Sequence, residues 1–162
     1  MSRVCLSILR FCLSAWLGIA TFFVMLVIDL RQSNLFSPET KFDHPQVLFP
    51  LYYKFEFSLL IPALLCGVVL LWHSGIGRGR RIAILQLIIV AVGLAMWDYT
   101  NVYPRLLELM AARGVMPVEF HSLHRMSRWL NEALVVACGV ATILALIPER
   151  TVSKNPPPPT GA

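Results

Sequence analysis

Four long apolar runs constrain this chain more than any other feature. They cover residues 11–30, 49–72, 82–97 and 130–147; the last two are short for a span, and with their flanks the expected spans are 11–30, 49–72, 82–103 and 124–147. A helix needs about 20 apolar residues to cross a bilayer's hydrocarbon core. In lipid every backbone N–H and C=O must find a partner inside the protein, so runs of this kind read as helices rather than isolated strands. The expected fold is all-α: a four-helix transmembrane bundle forming one domain over residues 1–150. The first run begins like a signal peptide, with Arg3 and Arg10 ahead of it and Gly18-Ile19-Ala20 as a cleavage-like triplet. It then continues unbroken from Phe22 to Ile28, too far for a signal's apolar region, so the helix is expected to be retained.

Composition supports this. Charged residues are 14% of the chain and hydrophobic ones 57%, against about 25% charged in a typical soluble domain. Mean hydropathy is +0.67. The formal net charge of +5 lies on residues flanking the apolar runs, where it sets topology and meets anionic headgroups. Nucleic acid is not an expected partner; the bilayer is. Cys5, Cys12, Cys66 and Cys138 form no CxxC pair and lie in or beside apolar runs, which reads as neither a disulfide framework nor a zinc site.

In the second run Pro62 predicts a kink. Between Arg81 and Arg113 the only helix breakers are Gly93 and Pro104. Gly114 then supplies a stop and Pro117 a new first turn, with Pro148 closing the last helix. Helices three and four should therefore be a long antiparallel hairpin turning at Gly114-Val115-Met116. About 30 residues at 1.5 Å each exceed the hydrocarbon thickness, so the hairpin should project from one membrane face. The tail, residues 151–162, carries Pro156 to Pro159 and reads as disordered and polyproline-like. Basic residues divide evenly between the two faces, but Arg78, Arg80 and Arg81 crowd one short loop. That places both termini in the cytoplasm by positive-inside reasoning, with a bacterial inner membrane as the default location.

The hairpin gathers unusual polar residues at one end of the bundle. Asp29 and Arg31 close helix one, and Tyr52, Tyr53 and Glu56 open helix two. Asp98, Asn101 and Arg105 close helix three. Along helix four, His121, His124, Ser127, Arg128, Asn131 and Glu132 share one arc, which should face protein or water rather than lipid. With the turn at Gly114–Met116, paired residues sum to about 230. Arg105 then falls near His124, Tyr103 near Ser127, and Asp98 near Asn131, a hydrogen-bonded polar layer. The plainer reading is that helix ends at an interface are polar anyway and Arg105 merely pairs with Glu132. Further along helix four, Ala133, Ala137, Ala141 and Ala145 form a small-residue stripe that lets a neighbour approach, within the bundle or in a homo-oligomer.

Several of these residues carry a resemblance. Ala15-Trp16-Leu17-Gly18, Leu48-Phe49-Pro50-Leu51-Tyr52-Tyr53, Pro104-Arg105, and Phe120, His124, Ser127 and Asn131 in the pattern FxxxHxxSxxxN are similar to the transmembrane protein 205-like family. The resemblance covers most of residues 11–147, and the helix-four motif is its most specific part. The connection between helices three and four is shorter here than in longer family members. The resemblance implies a four-helix membrane protein and names no substrate.

The leading functional reading is a non-enzymatic membrane protein that binds or moves a small solute, ion or lipid. Its candidate residues are His124, Ser127, Asn131 and Arg105, with Tyr52 and Glu56 facing them. The alternative is a structural or assembly subunit using the alanine stripe. His121 and His124, at i and i+3, are weak metal candidates, with His44 as a third; no carboxylate or cysteine strengthens them. Haem fits less well, since His73 lies at the other face. Ser127 and His124 could imitate a nucleophile and base, but no orienting third group or oxyanion hole is visible. No cofactor is expected.

Overall fold

The computed structural model describes residues 2–72, 76–111 and 118–148, side chains at 2, 38, 39 and 42 excepted. The expected turn at Gly114–Met116, His73, and the proline-rich tail lie outside the described residues. Five α-helices are described: α1 (Ser2–Gln32), α2 (Pro38–Leu70), α3 (Arg78–Trp97), α4 (Tyr103–Ala111) and α5 (Val118–Leu146). A single π-helical turn, Asp98–Val102, joins α3 to α4 without a break. Four continuous helices result that are long and apolar enough to cross a membrane: Arg3–Gln32, Asp43–Leu70, Arg78–Ala111 and Val118–Leu146.

The first two helices begin well before their apolar runs. The first starts at Ser2 rather than residue 11 because Leu6 and Leu9 extend its inward stripe; with Leu13, Trp16 and Ala20 they bury one face at the spacing of an amphipathic helix. The second starts at Pro38 rather than residue 49. Ser37 is its N-cap, its Oγ accepting the Thr40 N–H at 3.3 Å, and Pro38 has no N–H to lose in the first turn. The helix runs on through Pro45, Pro50 and Pro62.

The four spans form a ring: α1 packs on α2 and α5, and α3 packs on α2 and α5. The core is aliphatic towards the end that holds both the start of α1 and the end of α5, with Leu9, Leu13, Leu60, Ile84, Ile88 and Leu134 essentially solvent-free. Small residues let helices approach closely there. At Gly67 of α2 an added Cβ would sit 3.3 Å from Leu85 Cδ1 and 3.4 Å from Ile88 Cδ1 of α3. Ala91 and Ala95 of α3 are buried, as are Ala137, Ala141 and Ala145 of α5, whereas Ala133 faces outward. Three of the four stripe alanines thus pack within one chain. Ala141→Leu, which has no room for its three extra carbons, should lower bundle stability by about 1–3 kcal/mol. Ala133→Leu should leave it unchanged, both read from thermal unfolding in detergent.

The arginines at this end have structural partners. Arg81 donates to the Leu71 carbonyl at 2.5 Å, Arg80 to Ile147 at 2.7 Å and Arg10 to Ala145 at 2.8 Å. These carbonyls belong to the final turns of α2 and α5, or follow them directly, where no N–H of the helix remains to pair them and the helix dipole is negative. The density of positive charge that favoured a cytoplasmic assignment therefore also serves as C-capping.

Candidate functional site

The polar layer forms at the opposite end of the ring, and its centre is Asp98. The carboxyl is 2% exposed and draws donors from two other spans. Tyr53 Oη of α2 donates to Oδ2 at 2.8 Å, and Ser127 Oγ and Asn131 Nδ2 of α5 donate to the same oxygen at 3.0 Å each. Asn131 is satisfied throughout: its Nδ2 also donates to the Ser127 carbonyl at 3.0 Å, and its Oδ1 accepts from Tyr52 Oη at 3.2 Å. The chain of bonds Tyr52–Asn131–Asp98 ties α2 to α5 across the diagonal of the ring.

The π-turn decides what faces this centre. Along the third span the buried residues Ile84, Ala91 and Asp98 recur every seven, as do Ile88, Ala95 and Val102. An unbroken helix would next bury residues 105 and 109. Instead Leu106 and Met110 are buried. The turn closes with the Tyr103 N–H on the Asp98 carbonyl, five residues back, inserting one residue and rotating everything beyond it. The side chains of Thr100 and Asn101 bond the Met96 and Trp97 carbonyls at 2.7 and 3.3 Å.

Arg105 is the candidate this rotation displaces. It lies on the surface, 60% exposed, paired with Glu108 at 3.1 Å and Glu119 at 3.3 Å. Glu132, its expected partner, pairs with Arg128 at 3.4 Å. His124 is also exposed and stacks on Phe120, ring centroids 5.8 Å apart and 2° from parallel; His121 meets the same ring edge-on. The expected arc of α5 is thus divided. Ser127 and Asn131, half-buried, reach the network, while His121, His124, Arg128 and Glu132 line the outside. Among the described residues no three His, Cys, Asp or Glu side chains gather as a metal site.

Glu56 lies one turn below Tyr52 on the inward face of α2. It is 1% exposed, and neither carboxyl oxygen makes a close, well-directed hydrogen bond; the Trp16 indole N–H and the Tyr52 hydroxyl are the donors that face it at longer range. Asp98 Oδ1 is likewise buried without a close hydrogen bond, as is the indole Nε1 of the fully buried Trp16. Glu56 is within electrostatic reach of Asp98, and Trp16 and Tyr52 flank it. Among the described residues no arginine, lysine or histidine pairs with either carboxyl.

Aromatic rings enclose this centre. Tyr53 lies 5.1 Å from Tyr99 and 5.0 Å from Tyr103, and Tyr52 lies 4.5 Å from Phe23. On one side of Tyr53 a cleft of about 460 Å³ opens between Lys54, Phe57, Tyr99 and Tyr103. On the side of Tyr52 an apolar groove of about 320 Å³ runs between α1 and α2, past Phe22, Phe23 and Phe55. The sequence singled out Tyr52, Glu56, Ser127 and Asn131, which the structure brings together. It named Tyr53 and Asp98 only as members of the polar layer and missed Trp16 as a neighbour of Glu56. The seven-residue repeat Ile84–Ala91–Asp98 was the available signal for Asp98.

Four apolar helices closed around a buried polar layer define a multi-pass integral membrane protein of the helix-bundle class. No family model, no curated protein and no solved structure matches the chain.

Proposed function

We propose that this protein is a non-enzymatic integral membrane protein that binds, and passes on, a small solute or ion at the layer formed by Tyr52, Glu56, Asp98, Ser127 and Asn131. The observation that carries the reading is Glu56, a fully buried carboxyl with no close hydrogen bond to either oxygen and no basic partner among the described residues. A buried polar group left unpaired costs stability, and an apolar residue of similar size would pack there at no such cost. Ionisable groups inside membrane bundles characteristically mark substrate or ion pathways. The π-turn at Asp98 has the same bias towards functional positions. Ser127 donates its hydroxyl hydrogen to Asp98, and His124 stacks at the surface, so these two do not favour a hydrolytic pair. The likeness to the transmembrane protein 205-like family, and cytoplasmic termini in a bacterial inner membrane, complete the reading.

The test is a thermal-shift panel on the detergent-purified protein and on Asp98→Asn, which keeps an acceptor oxygen but not the charge. The panel comprises lithium, sodium, potassium and choline chlorides, sodium phosphate and sodium acetate, with native mass spectra to detect retained lipid or solute. At least one species should stabilise or remain bound to the wild type and not the variant. Equal responses throughout, with no bound mass in either spectrum, would reduce the layer to helix packing.

A further inference from the structure

Three buried carboxyl oxygens lack a close hydrogen bond at one place in the bundle: both of Glu56 and Oδ1 of Asp98. We infer that Glu56 and Asp98 together bind one alkali-metal cation of sodium size, held between the inner faces of α2 and the π-turn. This deepens the proposed function by naming its ligand, and it rests on that reading.

The oxygens ask for positive charge, and none is supplied by a side chain among the described residues. A proton is the simplest source, but it answers only part of the need. A protonated Glu56 carries an O–H that itself requires an acceptor; the oxygen facing it is the Tyr52 hydroxyl, which makes no close, well-directed bond to either Glu56 oxygen and is engaged with Asn131. Asp98 Oδ1 would also remain unpaired. A single cation between the two carboxyls engages all three oxygens at once.

The surroundings select the kind of cation. The neutral oxygens at hand are Tyr52 Oη and Asn131 Oδ1, already bonded to each other at 3.2 Å, and the Tyr53 and Ser127 hydroxyls, which donate to Asp98 Oδ2. All are hard donors suited to s-block cations rather than to soft metals. A calcium ion takes six to eight such ligands, and magnesium gives up its water reluctantly. Two carboxyls and a few engaged hydroxyls favour a single charge. Three donors converge on Oδ2 of Asp98 and stabilise negative charge there. Two carboxylates and one cation leave a single negative charge, which the three hydrogen bonds to Oδ2 stabilise.

Protons compete for the same oxygens. The groups facing Glu56 are Trp16 from α1, Tyr52 and Tyr53 from α2, Asp98 from the π-turn and Cys138 from α5. None is basic, so nothing else in the site answers to acidification with opposing charge. Trp16 also provides a readout. It is the fully buried tryptophan, whereas Trp72, Trp97 and Trp129 are largely exposed.

The experiment uses the full chain in detergent at pH 8, starting in choline chloride, with sodium or potassium chloride exchanged in at constant ionic strength. The melting temperature should rise saturably with sodium, following the logarithmic dependence of one-site linkage, and Trp16 emission should change over the same range. Potassium should act only at concentrations at least tenfold higher, and at pH 6 the half-saturating sodium concentration should rise. Glu56→Gln should abolish the saturable response while helical circular dichroism shows a folded bundle. Asp98→Asn, which retains an acceptor for Tyr53, should weaken the response at least tenfold and guards against a folding defect in the first variant. A response identical in sodium, potassium and choline, or one that survives in Glu56→Gln, overturns the proposal and leaves the oxygens to bridging water. If sodium fails but phosphate, acetate or a retained lipid still separates wild type from Asp98→Asn, the cation is wrong and the binding site remains. If nothing separates them, both readings fall.

Discussion

Replacing Asp98 with leucine should lower the stability of the bundle by about 3 kcal/mol, read from helical circular dichroism during denaturation in mixed detergent. The substitution removes the acceptor shared by Tyr53, Ser127 and Asn131, and a stranded buried donor costs about 1–3 kcal/mol. The three losses are unequal. Asn131 keeps its bonds to the Ser127 carbonyl and to Tyr52, and half-buried Ser127 can turn towards water. Tyr53, buried among Tyr52, Tyr99 and Tyr103, loses most. The coupling follows directly: Tyr53→Phe should cost about 1 kcal/mol or more in the wild type and close to nothing beside Asp98→Leu, because the hydroxyl then has no acceptor to lose. Equal costs in the two backgrounds would mean that the 2.8 Å contact contributes nothing.

Replacing Glu56 with methionine should act in the opposite direction. Methionine is similar in length, fits irregular apolar gaps and carries no oxygen to strand. The gain should be about 2 kcal/mol, the scale of an uncompensated buried polar group. Glutamine should gain less, because its amide still has two hydrogens and an oxygen to place. A variant that is more stable yet has lost its ligand response is the expected signature of a residue kept for function at a cost to stability. A Glu56→Met bundle less stable than wild type, measured without added sodium, would show that the carboxyl has structural partners after all and would remove the observation on which the proposed function rests.

Much of the architecture was legible in the residues alone. Span number and helical class followed from run length and from the requirement that lipid-embedded backbone be paired internally. Those are properties of the local chain. The end at which polar residues gather also followed, because an antiparallel hairpin fixes depth from residue number: Asp98 and Asn131 sum to 229, close to the expected 230, and they meet at 3.0 Å. Ser127 and Asn131 were found by that route, and Tyr52 and Glu56 by their place at the start of the second span.

What depth could not supply was the rotation of each helix about its own axis. On α5 the polar arc is wide enough to include both Asn131 and His124, and only packing against α3 determined that the first turns inward and the second outward. On the third span one inserted residue at the π-turn moved Arg105 to the surface and kept Val102, Leu106 and Met110 inside. No propensity of the residues Asp98–Val102 marks such an insertion. The helix starts at Ser2 and Pro38 were likewise settled by contacts outside the apolar runs. The sequence by itself determined how many times the chain crosses a membrane and at which depth its polar groups lie, because length and hydrophobicity are local. Tertiary structure alone decided which of those groups are shut away from lipid and water, because the facing of a helix is set by its neighbours, and that choice left Glu56 buried without a close hydrogen bond.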